Sequence, residues 1–377
     1  MIKAIRGLLM IVAGAGVIMP TLHAAEFIHN AETVFVMTND ADKNEIIGFR
    51  RAHDGSFNES VRYNTGGRGS SGVTDPLGSQ GSLTLSDDQA FLLAVNAGSG
   101  DVSVFRVLPG GFLFQTDREA SGGSEPVAVT THNNLVYVLN AGGPGRVVGF
   151  QLGREGRLHP IKDATAFLSA NGTGGASITI SPDGQFLAVT ERVANDIDVF
   201  SIHPNGTLSP ITVNASPGPG AFAAIFAPDG KLVVSETGPA NTTNASAISS
   251  YSVASGGKLA AISQSVPTLG NANCWNVVTP DGKYVYVSNS GSSTIAGFSI
   301  GKGGVLTPIG STIVGTNPEG STNVDIAISR DGKFLYTLNS GTGTIGVFSI
   351  QSDGTLNNVG EVEGLPKSAG FNGIAAF

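Results

Sequence analysis

The chain has 377 residues, of which 53 are Gly, 18 are Pro and only 13% are charged, while 40% are hydrophobic. Gly at about twice its usual share and charge at about half exclude a coiled coil, a collagen and a disordered chain, and leave enough apolar residues for a sizeable core. The formal charge of −8 without any run of Lys or Arg excludes phosphate-driven nucleic-acid binding and argues against an anionic membrane surface.

The first 25 residues carry Lys3 and Arg6 and no acid, followed by the apolar run Gly7–Met19, a Pro at 20 and Ala24-Ala25. This is the pattern of a secretory signal, too short to span a bilayer, so residues 1–25 are expected to be removed and 26–377 to form the exported protein, periplasmic or extracellular. No later segment is long and apolar enough to span a membrane. With a single cysteine, Cys274, no disulfide can form within the chain, and stability must come from packing.

From Thr33 onward the sequence repeats with a period near fifty residues. The clearest units begin at Ile178, Val277 and Ile326, and each holds two turn signals. The first is Asp-Gly, at Asp183-Gly184, Asp229-Gly230, Asp281-Gly282 and Asp331-Gly332, which predicts a tight hairpin with φ > 0. The second is Gly-x-Leu or Gly-x-Phe, around Gly55, Gly111, Gly156, Gly206, Gly257, Gly304 and Gly354. Between turns lie runs of 5–8 residues rich in Val, Ile, Phe, Tyr and Thr, which predict strands, and nowhere does a 3.6-residue period persist. Seven second turns predict seven units of four strands, A to D from the axis outward: an all-β, seven-bladed β-propeller with antiparallel blades. The ends are complementary. Thr33–Thr38, Glu45–Arg50 and Phe57–Tyr63 read as strands B, C and D without an A, and Gly370–Phe377 reads as an A without the rest, so the last strand is expected to complete the first blade.

The segments Tyr284-Val-Tyr-Val-Ser-Asn289 after Pro280-Asp-Gly-Lys283, Phe334-Leu-Tyr-Thr-Leu-Asn339, and the Val-Phe-Ser-Ile ends of strand C resemble the lactonase family of seven-bladed propellers, which includes bacterial 6-phosphogluconolactonase and fungal 3-carboxymuconate cyclase. The resemblance covers nearly all of the expected mature chain. It implies that the D–A and B–C loops form the functional face and the A–B and C–D turns the opposite one. It also implies a histidine just before strand A. Here those positions read Gly174-Gly-Ala-Ser177, Gly220-Ala-Phe-Ala223 and Ala272-Asn-Cys-Trp275, and His29, His53, His132, His159 and His203 all map elsewhere. A lactonase needs a group that activates water or shuttles a proton, so this is a departure from the pattern.

Other polar groups do map to that face. Strand B ends in Asn39, Asn96, Asn140, Glu191, Glu236, Asn289 and Asn339. The Asn residues, Asn289 and Asn339 among them, either shape the B–C turn or touch substrate. Glu191, Arg192 and Glu236 are the catalytic candidates: Glu191 as base or water-positioner, Arg192 holding a carboxylate or oxyanion, with a solvated rim pair as the alternative. Counting back six residues from each turn Asp places Ser82, Ser177, Ala223, Trp275 and Asp325 toward the channel. Trp275, the only Trp, either stacks on a ring-shaped ligand or plugs the channel; Asp325 either acts as a base or ties neighbouring strand N–H groups. Cys274 has no histidine near it to activate it. The Gly-rich stretch Asn64–Ser79, with Arg68 and Asp75, is either a flexible lid or a loose connection, and Gly66-Gly-Arg-Gly69 lacks the context of a phosphate loop. No zinc, haem or calcium pattern is present, so no metal or cofactor is expected. Asn-x-Ser/Thr sequons stand at Asn58, Asn171, Asn205, Asn214, Asn241 and Asn244. Two readings remain: an exported hydrolase or isomerase acting on a lactone at the channel mouth, or a non-catalytic propeller that holds a small ligand or a protein partner. Neither a substrate nor a particular protein partner is named by the sequence.

Overall fold

The computed structural model describes residues 32–51 and 57–377; the proposed signal segment, His29, His53 and the turn around Gly55 lie outside them. The alternating apolar runs form seven four-stranded antiparallel sheets arranged as blades. Their B strands are Thr33–Met37, Phe91–Asn96, Leu135–Asn140, Phe186–Glu191, Leu232–Glu236, Tyr284–Asn289 and Phe334–Asn339, in blades 1 to 7. Six A strands precede their B strands: Leu83–Leu85, Pro126–His132, Gly175–Ile180, Ala221–Phe226, Asn273–Val278 and Asn323–Ile328. The seventh, Ile374–Ala376, pairs antiparallel with Thr33–Met37, so the two chain ends make one blade as the half-units predicted. The only helical segment among the described residues is a short 3₁₀ turn, Ser290–Ser292.

The Asp-Gly turns take a form slightly different from the predicted one. Gly184 has φ of 69°, but its Asp does not share the left-handed region. Instead the Gly184 N–H closes a turn on the Ser181 carbonyl at 2.8 Å. Ser181 Oγ donates to Asp183 Oδ1 at 2.6 Å, and the Gln185 N–H donates to the same oxygen. Thr279–Asp281 and Ser329–Asp331 repeat this hydroxyl–carboxylate contact. The Asp side chain satisfies backbone donors beyond the turn, so only the glycine needs positive φ.

The glycines of the C–D turns have a second function. In each described case a carbonyl of the turn accepts a hydrogen bond from the preceding blade. The donors are Thr33, Thr116, Tyr137, Asn214, Ser250 and Tyr286, and the acceptors are Gly110, Gly156, Gly206, Gly257, Gly304 and Gly354. A Cβ on Gly354 would lie 2.6 Å from the Tyr284 ring, and one on Gly156 would lie 2.4 Å from Thr116 Oγ1. Positive φ and this close approach both demand glycine. Removing one donor measures one clamp: Tyr286→Phe leaves the buried Gly354 carbonyl without its 2.8 Å partner and is expected to cost about 1 kcal/mol in denaturant titrations.

Strands A of blades 3 to 7 each carry a register shift at the end nearest the D–A loops, between Asn273 and Trp275 in blade 6 for example. These bulges re-aim side chains at the channel.

Candidate functional site at the channel mouth

The stretch Asn64–Ser79, expected to be a lid or a loose connection, is neither, and it continues as one plug to Gln80. It runs from strand D of blade 1 across the axis and fills the mouth of the channel, with Leu77 and Ser79 buried. Its fixings come from five blades. The Val73 carbonyl accepts the Gly370 N–H, and the Thr74 carbonyl accepts Ser340 Oγ. Ser79 Oγ donates to the Val127 carbonyl at 2.8 Å, and the Gln80 N–H donates to that of Ala176. The Gln80 amide makes a two-way pair with the Asn276 backbone, donating at 2.7 Å and accepting at 3.1 Å. At its start the loop packs backbone to backbone: a Cβ on Gly69 would lie 2.1 Å from the Asn39 backbone, so only glycine fits.

Trp275 belongs to this plug. It is 1% exposed, its indole N–H donates to the Ser79 carbonyl at 2.9 Å, and its ring stands edge-on to Phe222 at 5.3 Å. Of the two roles open to it in the sequence, the geometry is that of the plug. Asp325 binds strand N–H groups: Oδ1 accepts from Ile326 at 2.8 Å and Oδ2 from Ile374 at 3.1 Å. Burial pushes its pKa up to about 8. Cys274 is buried, and desolvation pushes its thiol far above the usual range, so it is no nucleophile at neutral pH.

Glu191 and Glu236 point into their blades and not toward the channel. Glu191 is fully buried, with Oε1 accepting from the Ser169 N–H and from Thr173 Oγ1 at 2.8 Å, and Oε2 accepting from Ser169 Oγ. Glu236 is equally buried inside three serine hydroxyls, Ser216, Ser249 and Ser265. Glu191 therefore makes no ion pair with Arg192, whose side chain is exposed on the rim. Asn289 and Asn339 are buried nodes of the same kind, the first donating to Thr294 Oγ1 and the second to Asn317, Thr344 and Glu361. Asn96, Glu236 and Asn339 each join strand C to the loop arriving from the preceding blade, through Ser103 and Thr65, Ser249 and Ser216, and Thr344 and Asn317 respectively. Arg68 is exposed and contributes its backbone carbonyl to the N–H groups of Gly98 and Ser99.

The plug brings together two groups that the sequence holds apart. Asp75, partly exposed, accepts from Asn372 Nδ2 at 2.8 Å and from the Gly78 N–H at 3.0 Å. Burial raises its pKa to about 6, opposed by those bonds and by the positive charge of Arg192. The Arg192 guanidinium lies over the plug, where a Cβ on Gly78 would sit 2.9 Å from Nη2. Sequence reading marks Asp75 only as part of a Gly-rich loop; its partner Asn372 is 297 positions away, and no local signal joins them. Among the described histidines, His132 pairs with Asp87 and His159 with Glu155, both on the face of the A–B and C–D turns. No group of three or more His, Cys, Asp or Glu side chains able to hold a metal occurs among the described residues.

The family model described as Lactonase, 7-bladed beta-propeller, matches residues 144–276 and 311–365. The chain belongs to the lactonase family of seven-bladed β-propellers. Its fold is similar to that of the periplasmic gluconolactonase PpgL of Pseudomonas aeruginosa, at 19% identity and TM-score 0.67, covering 91% of this chain and 99% of that one. It is also similar to a provisionally named 6-phosphogluconolactonase from Bacteroides uniformis, at 20% identity and TM-score 0.69, with 92% and 99% coverage. A protein from Lactobacillus plantarum aligns at 17% identity and TM-score 0.70, with 92% and 98% coverage. None of the curated protein sequences compared with the chain matches it.

Proposed function

We propose that residues 1–25 are an export signal, that 26–377 form one propeller unit, and that the exported protein opens a small lactone at the channel mouth. The observation that carries this reading is Asp75: a partly exposed carboxyl raised to about 6, held by Asn372 on the plug beside the exposed Arg192. A base with a pKa just below neutrality is largely ionised at pH 7 and still basic enough to take a proton. Asp75 removes a proton from water as the oxygen attacks the lactone carbonyl. The ring C–O bond breaks, and the proton passes to the departing alkoxide, giving the hydroxy acid. Arg192 holds the developing oxyanion or a carboxylate of the substrate. The proton-handling role moves from Glu191 and Glu236 to Asp75, because the carboxylates of the two glutamates are occupied inside their blades; Arg192 keeps the role its sequence position suggests. The family of the chain and the gluconolactonase sharing its fold support a lactone as substrate.

The test is a panel of sugar and aromatic lactones assayed across pH. kcat/KM is expected to rise with pH through about 6 and then level off, because the carboxylate is the active form. Asp75→Asn is expected to lower kcat by about 100-fold, and Arg192→Ala to raise KM more than it lowers kcat. A second reading, a ligand-binding propeller without catalysis, is favoured by the plug filling the channel and by the absence of any described histidine on that face. It is the conclusion if no lactone is turned over at any pH while a hydroxy acid soaked into crystals binds at Arg192.

A further inference from the structure

Blade 4 differs from its neighbours at one buried position. The third residue of strand C stands beside the polar group that ends strand B. In blade 2 this position is Ser103, which accepts from Asn96 at 2.9 Å. In blade 5 it is Ser249, whose hydroxyl donates to Glu236 Oε1 at 2.5 Å. In blades 3, 6 and 7 it is Val148, Ala296 and Gly346. In blade 4 it is Asp198, fully buried against Glu191 and with neither carboxylate oxygen receiving a hydrogen bond. The charged groups acting on Asp198 are Glu191 on strand B and Asp196 on its own strand, both acids. Strand D places Val213 opposite it, and the loop before strand A offers the Ser169 N–H, already bound to Glu191. No cation among the described residues bonds it.

Two buried carboxylates in contact cannot both be charged. Glu191 already accepts three hydrogen bonds, so it is the acceptor, and Asp198 is left the donor role that Ser249 plays in blade 5. We propose that Glu191 and Asp198 share one proton and that this pair makes blade 4 a pH-sensitive element of the ring, directly beneath the rim residue Arg192. Burial and the Glu191 charge push Asp198 up to about 8. An acid whose folded pKa lies above its unfolded value binds its proton more tightly in the fold. Its stabilisation is therefore complete below the unfolded value of about 4 and is lost as pH rises to about 8. In an exported protein the pair would answer to the external pH. The shared proton does not depend on the proposed lactone chemistry, since it is read in folding and not in turnover; only the response to external pH rests on the proposed export.

The test compares melting curves of the full exported chain, wild type against Asp198→Asn and Asp198→Ser, between about pH 5 and about pH 9. Asp325 also titrates upward, so the readout is the difference between proteins and not the wild-type curve alone. At the acid end the proteins are expected to melt within about 2 °C of one another. At the alkaline end the variants, which need no proton to donate to Glu191, are expected to melt higher by on the order of 5 °C. Curves that stay parallel across the range overturn the proposal. So does a calcium-dependent rise in wild-type melting temperature that the variants lack, which would assign a cation to the pair in place of a proton. Should both variants fail to fold, infrared spectra of an Asp325→Asn protein labelled with ¹³C at Asp decide, since Asp325 would contribute a band of its own. A protonated carboxyl band that persists at about pH 7, above the range of Asp75, and fades above about pH 8 is expected, and its absence at about pH 7 overturns the proposal.

Discussion

Deleting Ile374–Phe377 is expected to leave a chain that does not fold to the native propeller. The removed segment is strand A of blade 1, and its partner Thr33–Met37 is buried along its whole length. Without it, the Thr33 N–H and carbonyl lose Phe377, the buried side chain of Ile374 is lost, and Asp325 loses one of its two N–H donors. A buried apolar strand then becomes an open edge, which is both a stability loss and a template for aggregation. The loss is expected to exceed about 5 kcal/mol, comparable to the net stability of many domains. Solubility and far-UV spectra of the truncated chain check this. The decisive measurement is addition of a synthetic peptide spanning Gly370–Phe377, which is expected to restore a cooperative melt by strand addition. A truncated protein that melts as the intact one does would show that the ring holds without its closing strand.

Trp275→Ala is expected to destabilise by about 4 kcal/mol, within the range for removing a large buried aromatic. The indole fills the space between Phe222 and the plug and satisfies the Ser79 carbonyl, so the cavity left behind has fixed strands on one side and a loop on the other. The loop is the side that yields. Exchange of the Gln80 amide, bonded to the Ala176 carbonyl, is expected to accelerate more than that of amides in the strands. A loss under about 1 kcal/mol, or unchanged protection at Gln80, would show that the plug stands without the tryptophan. Because Trp275 is the sole Trp, its fluorescence in the unmodified protein also reports directly on the channel.

The fold was legible in the sequence because propeller blades are built from local signals. The glycines of the C–D turns and the Ser/Thr-x-Asp-Gly turns act within a few residues of where they stand, and alternating runs such as Tyr284–Asn289 need only a neighbouring strand. The closing strand was legible because two incomplete units add to one. The site was legible only in part. The position of Arg192 on the face that carries the plug was legible, because the B–C loops alternate strictly with the turns. The placement of Glu191 and Glu236 was not legible, because the hydroxyls that capture them arrive from loops and strands up to 29 residues away, and a carboxylate at a strand end looks alike in sequence whether it turns outward or inward. The plug was hidden for the same reason on a larger scale: Val127, Ala176, Asn276 and Asn372 meet it only after the ring has formed. The bulges in strand A disturb the two-residue count from the Asp-Gly turns at the end where the channel-facing residues matter most.

The contacts between blades have an evolutionary consequence. In each of the six described clamps the acceptor is a main-chain oxygen, which substitution cannot remove, whereas the donor is Thr, Tyr, Asn or Ser. The joint therefore tolerates exchange of its variable half. Seven copies of an ancestral unit can diverge in chemistry, one acquiring an acid pair and another a tryptophan, while the mechanical coupling between them stays the same. Specialisation of a single blade is then possible without redesign of the wheel.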